Sequence, residues 1–565
     1  MKKVIALLLA LVLAFGMVAC GSTTSTTAPG ETEVDITEEY HGELPLVKEG
    51  EDNKLTIGIR VTPNCTNYDD NDYTRWLEEQ TGVDIEFVQF AGTSKDAGTQ
   101  AALMMAGGEE LPDIFFAFGG IGKAKSEEYG KDGYFVDLAP YFEKYNHYQL
   151  ESFQYLFGDN WEEPYNLLMS RAVEPETGGI YSFPTLQEVP LDNPLYHTWI
   201  NQEWLDTLGL QAPTNIDELY DVLVAFRDQD PNGNGKKDEI PIIGRADNSY
   251  ADIVMYLVNA FIFCNNSYHF NVTDGQLWLP YTTDAYREAL IFVKKLVDEG
   301  LLSTLTWTQT EGELDALING TTGEYTCGII CGHADVAFQT GNDSIYKYVP
   351  LAPLADATGE GGYAPMKTYG LTYTTNITAD CENPLLAFKF IDFMQCQESA
   401  LRQRWGAFGI DWTWADPGTK GHMGGEAKIK LLNPNMWNEQ TNTCWHTVNS
   451  VSSESFFEQQ VMGDGTGWAD VKNAKLVENW ENVTGAGQPE EVFTVVAYNE
   501  EENEVRDDLR ADLVNYFKVA RSDFATGVKD PSNDSDWQSY LAGAEALSCD
   551  EWIACEQSAY TRMTQ

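Results

Sequence analysis

The chain has 565 residues, 43% of them apolar, and carries 35 Lys plus Arg against 88 Asp plus Glu, a formal net charge of −53. That field excludes nucleic acid and anionic membrane surfaces as partners and disfavours a highly anionic ligand at long range, although a local arginine can still hold one. The apolar content is sufficient for large cores.

The first residues read as a secretion signal spanning 1–20. Lys2 and Lys3 give a positive start, residues 4–18 form an apolar run too short to span a bilayer with normal flanks, and Ala19 precedes Cys20. Met17-Val18-Ala19-Cys20 resembles a bacterial lipobox, with Met where Leu is usual, which makes Cys20 the expected lipidation site. Residues 21–45 begin as a Ser/Thr-rich polar stretch without apolar period and should be a flexible tether. Ten Cys leave nine after Cys20, and no pair has CxxC redox or zinc-finger spacing. Most read as small buried hydrophobes, and a disulfide or two stays open.

In chain order, residues 55–61 form a β-branched run, 69–81 look helical, and 83–90 alternate as a half-buried strand does. A helical pattern over 98–106 is stopped by Gly107 and Gly108, and an apolar strand follows over 111–118. Strands alternating with helices predict an α/β fold with a largely parallel sheet, whose ligands bind beyond the carboxyl ends of the strands. A helix is predicted over 214–227, with Thr214 and Asp217 at capping-box spacing and Ile216, Leu219, Tyr220, Leu223 and Phe226 on one face. Later helices end at Gly300 and start at Asn383-Pro384.

Between the helix at 214–227 and the next apolar run lies a stretch resembling a calcium loop. Alternating oxygen donors at Asp230, Asn232 and Asn234, Gly235 for a left-handed turn, the Lys236 carbonyl, and then Asp238 and Glu239 follow the EF-type order. Pro241 stands where the closing Glu is expected, so the loop is shortened and Glu239 must supply that carboxylate. With no open coordination position and no nearby nucleophile, a structural ion is expected rather than metal catalysis.

Here the chain resembles the large solute-binding lipoproteins of ABC importers that capture oligosaccharides (family 1, the long Gram-positive subtype). The segment Trp199 to Tyr220, followed by residues 230–241, carries the most specific match, and Gly107 to Asp113, Asp132 to Leu138, Arg404 to Trp412 and Phe524 to Gly527 extend it. The resemblance implies a two-lobe periplasmic-binding-protein-like fold with a hinge and a central cleft. It implies an N-terminal lobe of 46–185 plus 350–400 and a C-terminal lobe of 186–349 plus 401–565, with crossings near 181–190, 345–352 and 396–405. It also implies calcium held by Asp230, Asn232, Asn234, Lys236, Asp238 and Glu239, an ABC permease as partner, and a monomer lipid-anchored on the outer face of the cell membrane.

Sugar sites pair flat aromatic platforms with polar side chains. Of 15 Trp, those in loops or polar surroundings are the better candidates. Trp307, Trp412 and Phe118 meet that test, with Tyr181 and Tyr68 behind them, and Asn67, Asp69, Asp411 and His333 are the candidate polar partners. A peptide or other non-sugar cargo is the alternative binding function. A surface-anchored glycoside hydrolase would need two carboxylates about 5 to 10 Å apart, but the chain has no GxSxG, HExxH or Walker motif, so no enzymatic activity is expected.

Overall fold

The computed structural model describes residues 40–564 apart from 49, 51, 188–193, 247–249, 321–324, 340, 367–369, 434–435, 453–458, 461–465, 494–495 and 497. The signal, Cys20 and most of the tether lie outside the described residues. One compact unit runs from Glu39 to Gln565. Its strands are Lys54–Arg60 (β1), Asp84–Phe90 (β2), Ile114–Phe115 (β3), Phe183–Gln187 (β4), Thr198–Asn201 (β5), Ile240–Ile243 (β6), Asn271–Thr273 (β7), Gln276–Trp278 (β8), Cys327–Cys331 (β9), Tyr348–Pro350 (β10), Gly370–Ile377 (β11), Trp412–Trp414 (β12), Ile429–Leu431 (β13) and Gln459–Gln460 (β14).

Two main sheets result, ordered β2-β1-β3-β11-β4 and β10-β5-β9-β6. The βαβ opening is present, with β1 pairing β2 in parallel and Leu55, Ile57 and Ile59 buried. Gly58 lets the neighbouring chain close in, since a Cβ there would lie 2.8 Å from Pro112 Cγ. Both main sheets are mixed: most strands run one way, as expected, and one strand of each, β11 in the first and β5 in the second, runs opposite to the rest. Among the described strands, parallel neighbours are β1 with β2 and β3, β6 with β9, and β13 with β14.

Several predicted boundaries shift for local reasons. The second helix runs Ser94–Gly107, started by a Thr93/Asp96 capping box and closed by left-handed Gly108. The strand expected over 111–118 shrinks to β3 because Pro112 lacks an N–H and Ala117 has φ 48°. The helix expected from 214 is Ile216–Asp228, and its cap is Asn215, which accepts from the Asp217 and Glu218 N–H groups. Thr214 instead donates from its N–H and hydroxyl to Glu218, each at 2.8 Å.

The chain passes from the first sheet to the second between Gln187 and Pro194 and returns between Met366 and Gly370, since Pro194 bridges Met366 and residues 351–355 bond to second-sheet segments. The third expected crossing, near 396–405, differs more. Asn449 bonds to Thr185 and Thr375, Ser452 N–H donates to Leu186, and the buried Trp445 indole donates to Thr74 at 2.8 Å. These contacts hold residues up to Ser452 against the first sheet, where the sequence reading grouped everything after 401 with the second lobe. All nine described cysteines are unpaired and eight are buried, and no described helix is long and apolar enough to cross a membrane.

Candidate functional site

The chain leaving the carboxyl ends of β6 (described residues 244–246 and 250–252) and β9 (residues 332–338, with the short helix Ala334–Ala337) lies where an α/β sheet binds its ligand. The β6 loop stands between two cavities. The larger, about 310 Å³, is lined by Asp252, Asn266, His269, Tyr281, Lys518 and Arg521 among others. Asp252 caps the helix Ile253–Val258 and lies 2.7 Å from Arg521 Nη2, both buried. Burial pushes the Asp252 carboxyl up while Arg521 and the Met255 N–H pull it down; the 2.7 Å contact favours the ionised pair. Asn266 Oδ1 and Arg521 Nε are buried without a hydrogen-bond partner. His269 Nδ1 is 2.8 Å from the Tyr281 hydroxyl. Burial, then Arg510 and Arg506, pulls His269 down to about 3, so the ring is neutral.

The smaller cavity, about 50 Å³, is lined by Arg245, Tyr250, Glu311, Asp315 and His333 among others. Arg245 pairs with Glu311 at 2.8 Å. Burial and then Glu311 push the Asp315 carboxyl up to about 6. The His333 ring packs 4.7 Å from His197 and 5.6 Å from Tyr250. In the first-sheet half, Tyr373 on β11 and Arg171 on the helix Glu162–Ala172 are each 9% exposed, and burial pushes the Arg171 guanidinium down.

The sequence candidates divide. His333 lines a cavity, and half-buried Trp307 sits beside the β6 loop, since Thr306 bonds to Gly244 and Ala246. Tyr181 is half-buried against Gly130 and Gly179. The structure places the other candidates in packing or in turns, and lines neither of these cavities with them. Phe118 is fully buried among Phe90, Phe115 and Ile121. Trp412 is fully buried on Ala400, Leu401 and Ile429, its indole donating to the Gly406 carbonyl at 2.9 Å. Tyr68 packs on Phe87 and its hydroxyl accepts from the Thr62 N–H. Asn67 shapes the turn before the helix Asp72–Thr81 by accepting from the Asp69 and Asp70 N–H groups, which also ties Asp69 into that turn. Asp411 accepts from Ala407 N–H and Asn433 in another turn. In each case a residue that looks loop-borne in sequence is claimed by packing or turn geometry. No local pattern marks Asp252, Asn266 and Arg521, which line the larger cavity, because burial of a lone polar residue is set by distant segments.

The loop 230–239 has the backbone of a cation loop. Asp230 accepts from the Asn234 and Gly235 N–H groups, Asn232 from Asn234 and Asn234 from Lys236, while Gly235 takes φ 73°. The Asn232 and Asn234 amides face the Asp238 carboxylate at 3.1 to 3.2 Å, and Glu239 Oε1 is buried without a partner. Burial chiefly, with Asp238 and Asp230 adding like charge, pushes Glu239 up. Among the described residues no cluster of three His, Cys, Asp or Glu forms a metal site by itself, so amide and carbonyl oxygens must complete any shell here. An orphaned carboxylate oxygen beside two further carboxylates and two amides fits a hard, oxygen-loving cation.

Residues 68–399 match the family of bacterial extracellular solute-binding proteins. The chain is 27% identical over 413 residues to the fructooligosaccharide ABC transporter substrate-binding protein FusA of Streptococcus pneumoniae, covering 70% of this chain and 69% of that relative. It is 29% identical over 232 residues to lipoprotein LipO of Bacillus subtilis, 40% of each chain. An extracellular solute-binding protein from Bifidobacterium longum subsp. infantis shares the fold at a TM-score of 0.72 and 19% identity, covering 92% of this chain and 100% of that one. An EF-hand mutant of FusA with bound fructo-nystose does so at 0.71 and 21%, covering 90% and 99%. The chain therefore belongs to the bacterial extracellular solute-binding proteins, which hold a cargo for transport and carry out no chemistry on it.

Proposed function

We propose that this protein captures an oligosaccharide between its two sheet-bearing halves and presents it to the membrane subunits of an ABC importer. The observation that carries this reading is the 27% identity extending over 69% of a relative named for fructooligosaccharide transport. The cavities at the carboxyl end of β6, with aromatic and polar walls, support it physically. One half comprises residues 40–187 and 370–452, the other 198–366 and 466–564. Cargo binds one half first, and closure is favoured only by its better fit to the closed state. A calcium ion in the loop 230–239, with Asp230, Asn232, Asn234, the Lys236 carbonyl, Asp238 and Glu239 as ligands, braces the second half. Acylated Cys20 holds the monomer at the outer membrane face.

Calorimetry on the compact unit Glu39–Gln565, with calcium present, against plant and bacterial oligosaccharides and a peptide mixture tests the reading. Saturable binding of one sugar class, recovered intact, is expected. Heat from peptides alone would overturn the cargo class.

A further inference from the structure

We propose that the β12–β13 hairpin is a strap between the two halves, whose tip at residues 421–425 docks on the second half and biases the protein toward its closed form; this rests on the closure reading above. At its base the hairpin belongs to the first half. Trp412 and Ile429 are fully buried with Ala400 and Leu401, and residues 412–414 pair antiparallel with residues 429–431. The shaft continues outward, with the Ala427 N–H donating to the Thr419 carbonyl, the Gly421 N–H donating to the Gly425 carbonyl, and Lys420 bridging Glu426. Gly424, at φ 87°, turns the chain, and its N–H donates to the Gly421 carbonyl at 3.1 Å.

An arm that projects from its base should be most exposed at its end. Here the order is reversed: Trp414, Asp416, Pro417, Gly418 and Lys420 on the shaft are exposed, whereas His422 and Met423 at the tip are half-buried. What covers them is the second half. Met423 packs on the core cluster that contains Trp199, Phe338, Tyr348 and Leu476, residues of the β10-β5-β9-β6 sheet and the elements against it. His422 Nε2 lies 3.2 Å from the Asn473 side-chain amide on the helix Trp468–Thr484. Burial draws the His422 ring down, so at neutral pH its Nε2 is free to accept from that amide. The helix is itself fixed to the second sheet, since Leu476 lies in the same cluster and Lys475 Nζ donates to the Tyr348 carbonyl.

The base is tied to the crossing between the halves. β13 also pairs in parallel with β14, Ile429 with Gln459 and Lys430 with Gln460, and β14 lies in the passage from Ser452 on the first sheet to the helix at Trp468 on the second. With its base on one half and its tip on the other, the arm keeps both sets of contacts only while the halves are together. Opening returns Met423 to water and separates His422 from Asn473. Three of the five tip residues are Gly, so these two side chains carry the contact. Residues 415–428 line neither cavity, and the contact is therefore indifferent to what the cargo is. It scales the closure constant by the same factor with cargo and without it, and so strengthens the hold on every cargo alike.

The test needs no cargo. Small-angle X-ray scattering on the ligand-free compact unit Glu39–Gln565 compares wild type, the double variant His422→Ala/Met423→Gly, and a variant in which residues 421–425 are replaced by Asn-Gly, a two-residue turn that keeps the shaft. Both variants should show a larger radius of gyration than wild type, with melting temperatures within about 2 °C of it. With His422→Cys and Asn473→Cys together, a short bis-maleimide should join the two positions in the absence of cargo, and the joined protein should scatter as compactly as wild type. Scattering that superimposes for wild type and both variants would overturn the strap while sparing capture by closure, which cargo can drive by itself. Failure of the paired cysteines to join would overturn it too, as would variants that melt well below wild type, since the tip would then belong to the second half's fold. A peptide in place of a sugar in the calorimetry above would change the cargo class and leave these results as they stand.

Discussion

Replacing Trp412 with Ala removes an indole that is fully buried on Ala400, Leu401 and Ile429, in edge contact with Phe408 at 5.1 Å and Trp414 at 5.2 Å. A buried aromatic truncated to Ala costs about 3 to 5 kcal/mol from lost transfer energy and the cavity left behind. Part of that, of order 1 kcal/mol, is the lost donation to the Gly406 carbonyl. Trp412→Phe keeps most of the ring and forfeits the hydrogen bond, so it should cost only about 1 to 2 kcal/mol. Denaturant unfolding followed by circular dichroism reads the midpoint shift at constant slope, and calorimetry reads cargo affinity on the folded fraction. The expected result is a destabilised Ala variant whose folded molecules bind normally. A variant within about 1 kcal/mol of wild type in stability, but at least tenfold weaker for sugar, would refute the core assignment and restore Trp412 as a platform.

Chelation should lower the melting temperature by a few degrees, since an ion at about a hundredfold excess over its Kd stabilises by roughly 2.7 kcal/mol; Glu239→Gln should abolish the calcium-dependent gain, and identical melts with and without calcium would reject the ion. Trp307→Ala should weaken cargo binding by roughly tenfold, or ~1.4 kcal/mol, with unchanged affinity removing that residue from the site. His269 is held near 3 in the fold against about 6.5 when unfolded. The folded state therefore binds fewer protons, and the stability from this group is complete above about 6.5 and is lost as pH falls toward 3. His269→Gln should flatten that slope in a pH series of melts, and parallel curves for the two proteins would refute it.

What could be read from sequence was set by neighbours a few residues away. The alternation of residues 83–90 and the apolar face of the helix from Ile216 reproduce as β2 and a buried helix because period and propensity act locally. The cation loop is legible for the same reason, since its donors are consecutive. The depth of a tryptophan is not, because Trp412 and Trp307 look alike in sequence and differ only in how far distant segments bury them. Arg171 and Arg521 likewise differ only in a partner 269 residues away, Asp252 for Arg521 and none for the buried nitrogens of Arg171.

The short strand β6 links the two legible and illegible halves of the site. At its amino end lies the loop 230–239, and at its carboxyl end Arg245, Ala246, Tyr250, Ala251 and Asp252, which line one or other of the two cavities. Its four residues, Ile240–Ile243, span roughly 13 Å at 3.3 Å per residue, so an ion in the first loop lies too far away to touch a cargo held by the second. Its influence must travel through the strand, whose Ile242 and Ile243 are fully buried and register against Ile329 and Ile330 of β9. Bracing one end of a strand already fixed along its length changes how readily the half unfolds more than it changes the shape of the cavity walls. An ion bound there would therefore act on the stability of the frame, while the polar groups at the other end of β6 line the cavities.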